Sequence, residues 1–194
     1  MKKVGITGGI GSGKSVVGQI LQAMDYPVYY SDVASKELVD TDETIRKELV
    51  TLLGTEVYQN DKLNRPFLAS VIFQNDELRM KVNQIIHPKV REAFINWTNK
   101  QSSPIVFNEA AILFETGAYK TMDATILVTA PVDLKVRRVM ERDKSSMESV
   151  LERMSKQWSD EEKKPLADFE LKNDEESPLI IQIESMLKLI NERT

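Results

Sequence analysis

The chain of 194 residues contains no cysteine and only one histidine, His87. The lack of cysteine excludes disulfide bonds, thiolate nucleophiles and metal sites built on cysteine. A composition without cysteine also fits a reducing compartment, and we therefore expect a cytoplasmic protein. A single histidine that precedes a proline is at least as often a capping or packing residue as a catalyst.

Long apolar runs and an excess of positive charge are also missing. No stretch approaches the roughly 20 apolar residues that a membrane-spanning helix needs. The short apolar stretch near the N-terminus leads into Gly8 and Gly9, so it predicts a first strand instead of an export signal. The net charge of −4 gives no overall positive field that would attract nucleic acid or anionic lipid. We therefore expect neither a nucleic-acid nor a membrane partner.

Glycine is scarce, with eight in the chain, but it is concentrated near the N-terminus. Residues 8–15 read Gly-Gly-Ile-Gly-Ser-Gly-Lys-Ser and fill the phosphate-loop pattern G-x-x-x-x-G-K-[ST]. The pattern predicts backbone N–H groups around nucleotide phosphates, with Lys14 reaching the β and γ oxygens and Ser15 holding Mg²⁺. The expected ATP contacts are Gly9, Ile10, Gly11, Ser12, Gly13, Lys14, Ser15 and Val16. A dinucleotide fingerprint fits less well, because Lys14 occupies its third glycine position.

The apolar pattern predicts a parallel α/β fold that contains an insertion. The phosphate loop lies between a strand and a helix, and residues 28–30 follow as a second strand, which we expect beside the first. Near-continuous apolar runs at 105–107 and 124–129 predict strands that are buried on both faces. Residues 32–100 instead have an almost entirely helical pattern with a break at His87, and we expect this insertion to bind a second substrate.

Three acidic residues follow predicted strands, namely Asp32, Glu109 and Glu115. Ligands of a parallel sheet bind beyond the carboxyl ends of its strands. Phosphoryl transfer needs one carboxylate that accepts a hydroxyl proton and others that hold Mg²⁺ or its waters. We interpret Asp32 as the base and expect Mg²⁺ to be held by Glu109 with Ser15, or by Ser15 and waters alone. The alternatives are a helix N-cap for Asp32, and local hydrogen bonding or charge balance for the two glutamates.

Arginine residues are grouped in the last third of the chain. Arg138 and Arg142 lie four residues apart and share a helix face, and Arg153 lies on a following helix. Two helices that carry arginines and are joined by a polar turn are typical of a lid over transferring phosphates. The alternative is a solvated helix pair in which neighbouring acidic residues neutralise the arginines.

Motifs along nearly the whole chain, taken in order, resemble those of the dephospho-CoA kinase family. Residues 5–15 are similar to the family's phosphate loop. The other similar segments are Tyr30-Ser31-Asp32-Val33-Ala34, Leu63-Asn64-Arg65, Phe73, Ile86-His87-Pro88, Ala111-Ile112-Leu113-Phe114-Glu115, Arg138-Val139-Met140-Glu141-Arg142-Asp143, Arg153 with Gln157, Ala167-Asp168-Phe169 and Asn173-Asp174. The chain departs from the family pattern at Tyr30, where the family usually has Asp, at Ala111, where it has Pro, and at Glu109, where many relatives have Asp.

The resemblance implies a P-loop kinase core with a five-stranded parallel sheet flanked by helices, a helical CoA-binding domain and a helical lid. The expected ranges are 1–31, 101–136 and 165–194 for the core, 32–100 for the helical domain, and 137–164 for the lid. The implied reaction transfers the ATP γ-phosphate to the ribose 3′-hydroxyl of dephospho-CoA, with Mg²⁺ as cofactor. The implied catalytic residues are Asp32, Lys14, Arg138 and Arg142; Arg142 and Asn173 join the ATP site, and the substrate contacts are Asp32, Arg65, His87, Glu115 and Arg153. We expect a monomer or a weak homo-oligomer.

Other functions remain as alternatives at this point. A nucleoside, nucleotide or shikimate kinase would share the phosphate loop and the lid. A GTPase would need the guanine-reading sequence Asn-Lys-x-Asp, whereas the nearest string, residues 99–102, lacks the aspartate. A plain nucleotide-dependent binding or ATPase module would leave the helical insertion and the arginines without a purpose.

Overall fold

Apolar strands build a five-stranded sheet in the computed structural model, which describes residues 1–73 and 75–192. The strands of this sheet are β1 (Lys2–Thr7), β2 (Val28–Tyr30), β5 (Ile105–Glu109), β6 (Ala124–Thr129) and β7 (Phe169–Lys172). A separate two-stranded sheet consists of β3 (Tyr58–Gln59) and β4 (Lys62–Leu63). The α-helices are α1 (Lys14–Ala23), α2 (Ser31–Thr41), α3 (Glu43–Leu53), α4 (Arg65–Ile72), α5 (Asp76–Thr98), α6 (Val132–Asp143), α7 (Met147–Ser155), α8 (Asp160–Lys163) and α9 (Leu179–Glu192). Residue 74 of the expected insertion and residues 193–194 of the expected core lie outside the described part.

The order of the strands in the large sheet is β2-β5-β1-β6-β7. β1 pairs in parallel with both β5 and β6, and β6 pairs in parallel with β7. Every residue of β5 and β6 is buried, as expected for strands that are covered on both faces. The five-stranded parallel sheet is thus confirmed. The expectation that β2 lies beside β1 is wrong, because β5 lies between them; a crossover connection fixes handedness but not which strand is the neighbour.

Contacts divide the chain into two units, one formed by residues 1–29 and 101–194 and the other by residues 30–100. The second unit has its own apolar core, which is formed by Val39, Ile45, Leu49, Val57, Leu63 and Val82. It is not entirely helical, because β3 and β4 form a short antiparallel hairpin. Asn60 and Asp61, at its turn, adopt positive φ values of 50° and 61°, a conformation that Asn and Asp tolerate better than most residues. Each of these strands is only two residues long, too short for an alternating pattern.

Helices of the second unit follow their local sequence signals with one exception. The Asn64 side chain accepts a hydrogen bond from the backbone N–H of Phe67 and caps α4, as the sequence predicts. The predicted break at His87 and Pro88 is wrong, since α5 continues through both residues from Asp76 to Thr98. Proline removes one backbone hydrogen bond from a helix, but Val82 and Phe94 are buried on either side of it and hold both halves of α5 in place. Within the described ranges, no helix is both long and apolar enough to cross a membrane.

The position of His87 inside α5 predicts a pH-dependent contribution to stability. Burial lowers the pKa of His87, and the nearby Arg91 guanidinium lowers it further. Below the unfolded-state pKa of about 6.5, His87 is therefore protonated in the unfolded chain more than in the folded chain. The stability of the folded protein consequently decreases as the pH is lowered. We expect the melting temperature to fall less between about pH 7 and about pH 5.5 in His87→Gln than in the wild type. An equal fall of the melting temperature in His87→Gln and the wild type would contradict a role of His87 in this pH dependence.

Candidate active site

The phosphate loop connects β1 to α1 and is shaped by its own backbone hydrogen bonds. The N–H of Ser12 donates to the carbonyl of Gly9 at 3.1 Å. Gly13 stands at the N-cap of α1 with a φ of 94°, and its carbonyl accepts from Val17 at 3.2 Å. The buried Ser12 hydroxyl has no hydrogen-bond partner in the described part of the chain. A loop of this shape presents N–H groups and the positive end of a helix to an anion.

Lys14 and Glu109 meet at the carboxyl ends of two neighbouring strands. Lys14 opens α1 after β1, and Glu109 is the last residue of β5, which pairs with β1. The Lys14 Nζ lies 3.8 Å from Glu109 Oε1, and the two side chains are only 11% and 6% exposed. Ser15, the predicted Mg²⁺ ligand, is the next residue of α1 and is exposed. The structure thus brings the lysine of the phosphate loop close to a carboxylate that is a candidate Mg²⁺ ligand.

Asn173 follows β7 and supports the phosphate loop from outside. Its side-chain Nδ2 donates to the carbonyl of Ser12 at 2.9 Å. Its own carbonyl accepts from Arg138 NH1 at 3.1 Å, and Arg138 NH2 also lies 3.4 Å from Glu175 Oε1. Arg138, the expected lid residue, therefore binds the backbone of Asn173, the expected ATP residue, in the loop that follows β7. The side chain of Asn173 in turn binds the phosphate loop.

Arg142 and Arg153 are brought together by one carboxylate. Asp143, the last residue of α6, accepts two hydrogen bonds from Arg142, at 2.7 and 3.1 Å, and one from Arg153 at 2.7 Å. The Arg142 guanidinium, followed by that of Arg153, holds the pKa of Asp143 far below its usual range. The same contact raises the pKa of Arg142. The two arginines thus form a group at the joint between α6 and α7, and Arg138 binds elsewhere.

A segment after α7, residues 157–163, is bound to the rest of the first unit by two buried ion pairs. Lys163 is fully buried, and its Nζ lies 2.9 Å from Glu115 Oε1. Lys135 of α6 places its Nζ 2.8 Å from Asp160 Oδ2. Glu115 Oε1 also accepts from the backbone N–H of Trp158 at 3.1 Å. Glu115, which the sequence analysis expects at the substrate, is therefore engaged in holding this segment.

Sequence reasoning missed the lysines and the aspartate of these pairs. Lys163 and Asp160 lie in a run of charged residues that reads as a solvated surface, and nothing in the run marks the buried lysine. Lys135 gives a weak signal, because the residues on both sides of it, Leu134 and Val136, are apolar. A lysine inside an apolar stretch of a helix indicates a buried cation that requires an acidic partner.

The remaining predicted residues lie in the second unit. Asp32 is exposed in the first turn of α2, whose N-cap is Tyr30, so the alternative reading of Asp32 as an N-cap is wrong. Arg65 opens α4, and its NH2 donates to the carbonyl of Lys36 at 3.1 Å and to Asp40 Oδ2 at 3.0 Å. The backbone N–H of Leu63, ahead of Arg65, lowers the pKa of Asp40.

A phosphate loop between the first strand and first helix of a parallel sheet, with its lysine beside an acidic strand end, defines a P-loop kinase fold. The sequence pattern of the family described as CoaE: Dephospho-CoA kinase matches residues 2–178. The chain belongs to the dephospho-CoA kinase family. ATP is the phosphate donor that membership in this kinase family implies.

The chain is similar to individual proteins over nearly its full length. A dephospho-CoA kinase of Bacteroides fragilis is 45% identical over 192 residues, which cover 98% of this chain and 94% of the relative. The crystal structure of TT1252 from Thermus thermophilus has a TM-score of 0.85 at 34% identity and covers 100% of this chain and 98% of that one. A dephospho-CoA kinase structure from Campylobacter jejuni has a TM-score of 0.67 at 26% identity, covering 98% and 96% of the two chains.

Gly13→Ala tests whether Asn173 and the phosphate loop depend on their close approach. A Cβ at Gly13 would lie 2.0 Å from Asn173 Nδ2, so Asn173 would lose its bond to Ser12. Gly117 is the matched control, because its φ of 70° also lies in the left-handed region and no atom of residues 1–73 and 75–192 lies within 4 Å of its Cβ position. We expect both variants to lose about 1–2 kcal/mol to strain, and only Gly13→Ala to lose about tenfold or more in ATP affinity. Calorimetric titration with ATP and melting curves measure the two effects, and equal ATP affinities in both variants would contradict this role of Gly13.

Proposed function

We propose that this chain transfers the γ-phosphate of ATP to the ribose 3′-hydroxyl of dephospho-CoA and releases coenzyme A and ADP. The observation that carries the proposal is the phosphate loop with Lys14 beside Glu109, in a chain 45% identical to a dephospho-CoA kinase over nearly its full length. The reaction takes place in the cytoplasm, the compartment that the cysteine-free composition fits.

The phosphate loop holds the donor in the proposed reaction. Backbone N–H groups of the phosphate loop other than those of Ile10 and Ser12, which donate to protein oxygens, surround the phosphates. Lys14 places its charge on oxygens that become more negative during transfer. Ser15 and Glu109 supply a hydroxyl and a carboxylate, the hard oxygen ligands that Mg²⁺ prefers. These residues would hold Mg²⁺, which neutralises charge on the phosphates when bound. The described residues contain no group of three or more His, Cys, Asp or Glu that could hold a metal ion.

Asp32 is the proposed base. A ribose hydroxyl is a weak nucleophile, and a carboxylate within hydrogen-bond reach orients it and accepts its proton. Two observations support this role: Asp32 lies two residues after the end of β2, a strand of the sheet that carries the phosphate loop, and Asp32 is exposed. We propose that residues 32–100, with Arg65 and His87, bind the acceptor.

Residues 137–164 are the proposed lid. Arg142 and Arg153, gathered by Asp143, carry two positive charges that can reach transferring phosphates when the lid closes. Arg138 contributes through the loop that holds Asn173. This division of roles is supported by the positions of the arginines on and after α6.

The acceptor is tested by measuring ADP release with dephospho-CoA, adenosine, AMP and shikimate in parallel. We expect transfer to dephospho-CoA alone, and a 3′-phosphate on the product by mass and phosphorus spectroscopy. Lys14→Ala should reduce this transfer by about 10³-fold or more in a protein whose melting curve shows that it is folded, because the lysine charge acts mainly on the transition state. Comparable transfer to AMP or shikimate would support the alternative kinases, and ADP release without acceptor would support an ATPase.

Asp32→Asn separates a base from a residue that only helps the start of α2. Asparagine preserves shape and hydrogen-bonding oxygen but removes charge and basicity. If Asp32 is the base, kcat should fall by about 10²–10⁴-fold while ATP affinity and melting temperature change little. Asp42→Asn is the control, because Asp42 caps α3 in the same unit and its replacement by asparagine retains a good cap. A stable Asp32→Asn protein with normal kcat would transfer the role to Glu109 or Glu115.

A further inference from the structure

The side chain of Ile10, a residue of the phosphate loop, packs against the apolar cluster between helices α6 and α7 of the proposed lid. Val136 and Val139 of α6 and Val150 of α7 form a buried cluster, and Ile10 packs against it together with Met140 and Met154. Val139 and Val150 are fully buried. A well-packed apolar cluster does not deform continuously, so a movement of α7 against α6 must either carry Ile10 along or break its contacts.

The backbone of the same residue is held by the chain that leaves α7. The N–H of Ile10 donates to the side-chain Oε1 of Gln157 at 2.9 Å. Gln157 comes two residues after the end of α7 at Ser155. The loop backbone also lies directly against α6, because a Cβ at Gly11 would be 2.5 Å from the carbonyl oxygen of Lys135. One loop residue is thus connected to α6 and α7 by its side chain and to the end of α7 by its N–H.

The chain beyond Gln157 is fixed independently. Glu115 accepts from the N–H of Trp158 and pairs with Lys163, and Asp160 pairs with Lys135. Both ion pairs are buried, and breaking such a pair is strongly unfavourable. Gln157 therefore stands between α7 and a segment that two buried ion pairs attach to other parts of the first unit. The hydrogen bond between Ile10 and Gln157 therefore depends on the orientation of α7 relative to this segment.

We propose that Ile10 and Gln157 are positioning residues that couple the nucleotide on the phosphate loop to the arrangement of α7. The proposal rests on the proposed function only in that the loop binds ATP and ADP. A nucleotide that fixes the loop stabilises the position of Ile10, and hence the packing of α7 against α6. By linkage, an α7 that is packed in this way strengthens nucleotide binding by the same factor. Neither residue needs to touch the reacting atoms for this effect.

Hydrogen exchange of the α7 amides (Met147–Ser155), with and without ADP, tests the coupling. In the wild type, ADP should slow exchange in α7 about fivefold or more, the lower end of couplings between sites. Gln157→Met keeps the length of the side chain but removes the acceptor, and it should abolish most of this slowing. Its ADP dissociation constant should rise roughly threefold to tenfold, as expected for one hydrogen bond. Gln157→Glu restores an acceptor oxygen and should recover the slowing.

Lys156→Met is the matched control, since Lys156 is the preceding residue and its Nζ pairs with Glu152 on the exposed surface. It should leave ADP affinity and the slowing in α7 unchanged. The proposal is overturned if ADP slows α7 equally in Gln157→Met and the wild type, or if Lys156→Met loses the slowing as well. A role of Gln157 in folding alone would lower the melting temperature and leave both ADP readouts unchanged. Transfer to dephospho-CoA is measured separately, so that its absence with intact coupling contradicts only the proposed function.

Discussion

Backbone N–H groups of the phosphate loop can face an anion only while other parts of the protein hold the loop in shape. The hydrogen bonds within the loop do not attach it to the rest of the protein, and its glycines have no side chains that could pack. Asn173 donates a hydrogen bond to the carbonyl of Ser12, Gln157 accepts one from the N–H of Ile10, and Lys14 lies beside Glu109. The other parts of the first unit, from the sheet order to the charged segment after α7, bring these supports to the loop from distant points of the chain.

Two buried ion pairs show where rigidity is required in this unit. Removing Lys163 and Lys135 from water is unfavourable, and a paired carboxylate offsets only part of that cost. Apolar residues of the same size would often be at least as stable. The pairs instead fix geometry, since Glu115 and Asp160 hold residues 157–163 at two defined points.

Local patterns predicted the parts of this molecule that local chemistry determines. The phosphate loop, the buried strands and the Asn64 cap follow from a few adjacent residues. The strand order, the continuous α5 and the short hairpin depend on packing that no local window contains. The supports of the loop were hidden for the same reason: Asn173 and Ser12 are 161 residues apart, and Lys135 and Asp160 are 25 apart. The arginines were found as a group, but which acid each one binds was not predictable from spacing.

The division into units has a consequence for synthesis on the ribosome. β1 pairs with β5, so that Lys2 stands opposite Ile105, and β6 and β7 are made later still. The N-terminal strand and the glycine-rich loop must therefore wait for about a hundred residues before any partner strand emerges. The second unit, whose contacts lie within residues 30–100, is complete by then. Non-local parallel pairing is slow to form, and the contiguous unit can fold first. During that wait, Val4 and Ile6 of β1, which are fully buried in the finished sheet, have no partner strand to cover them.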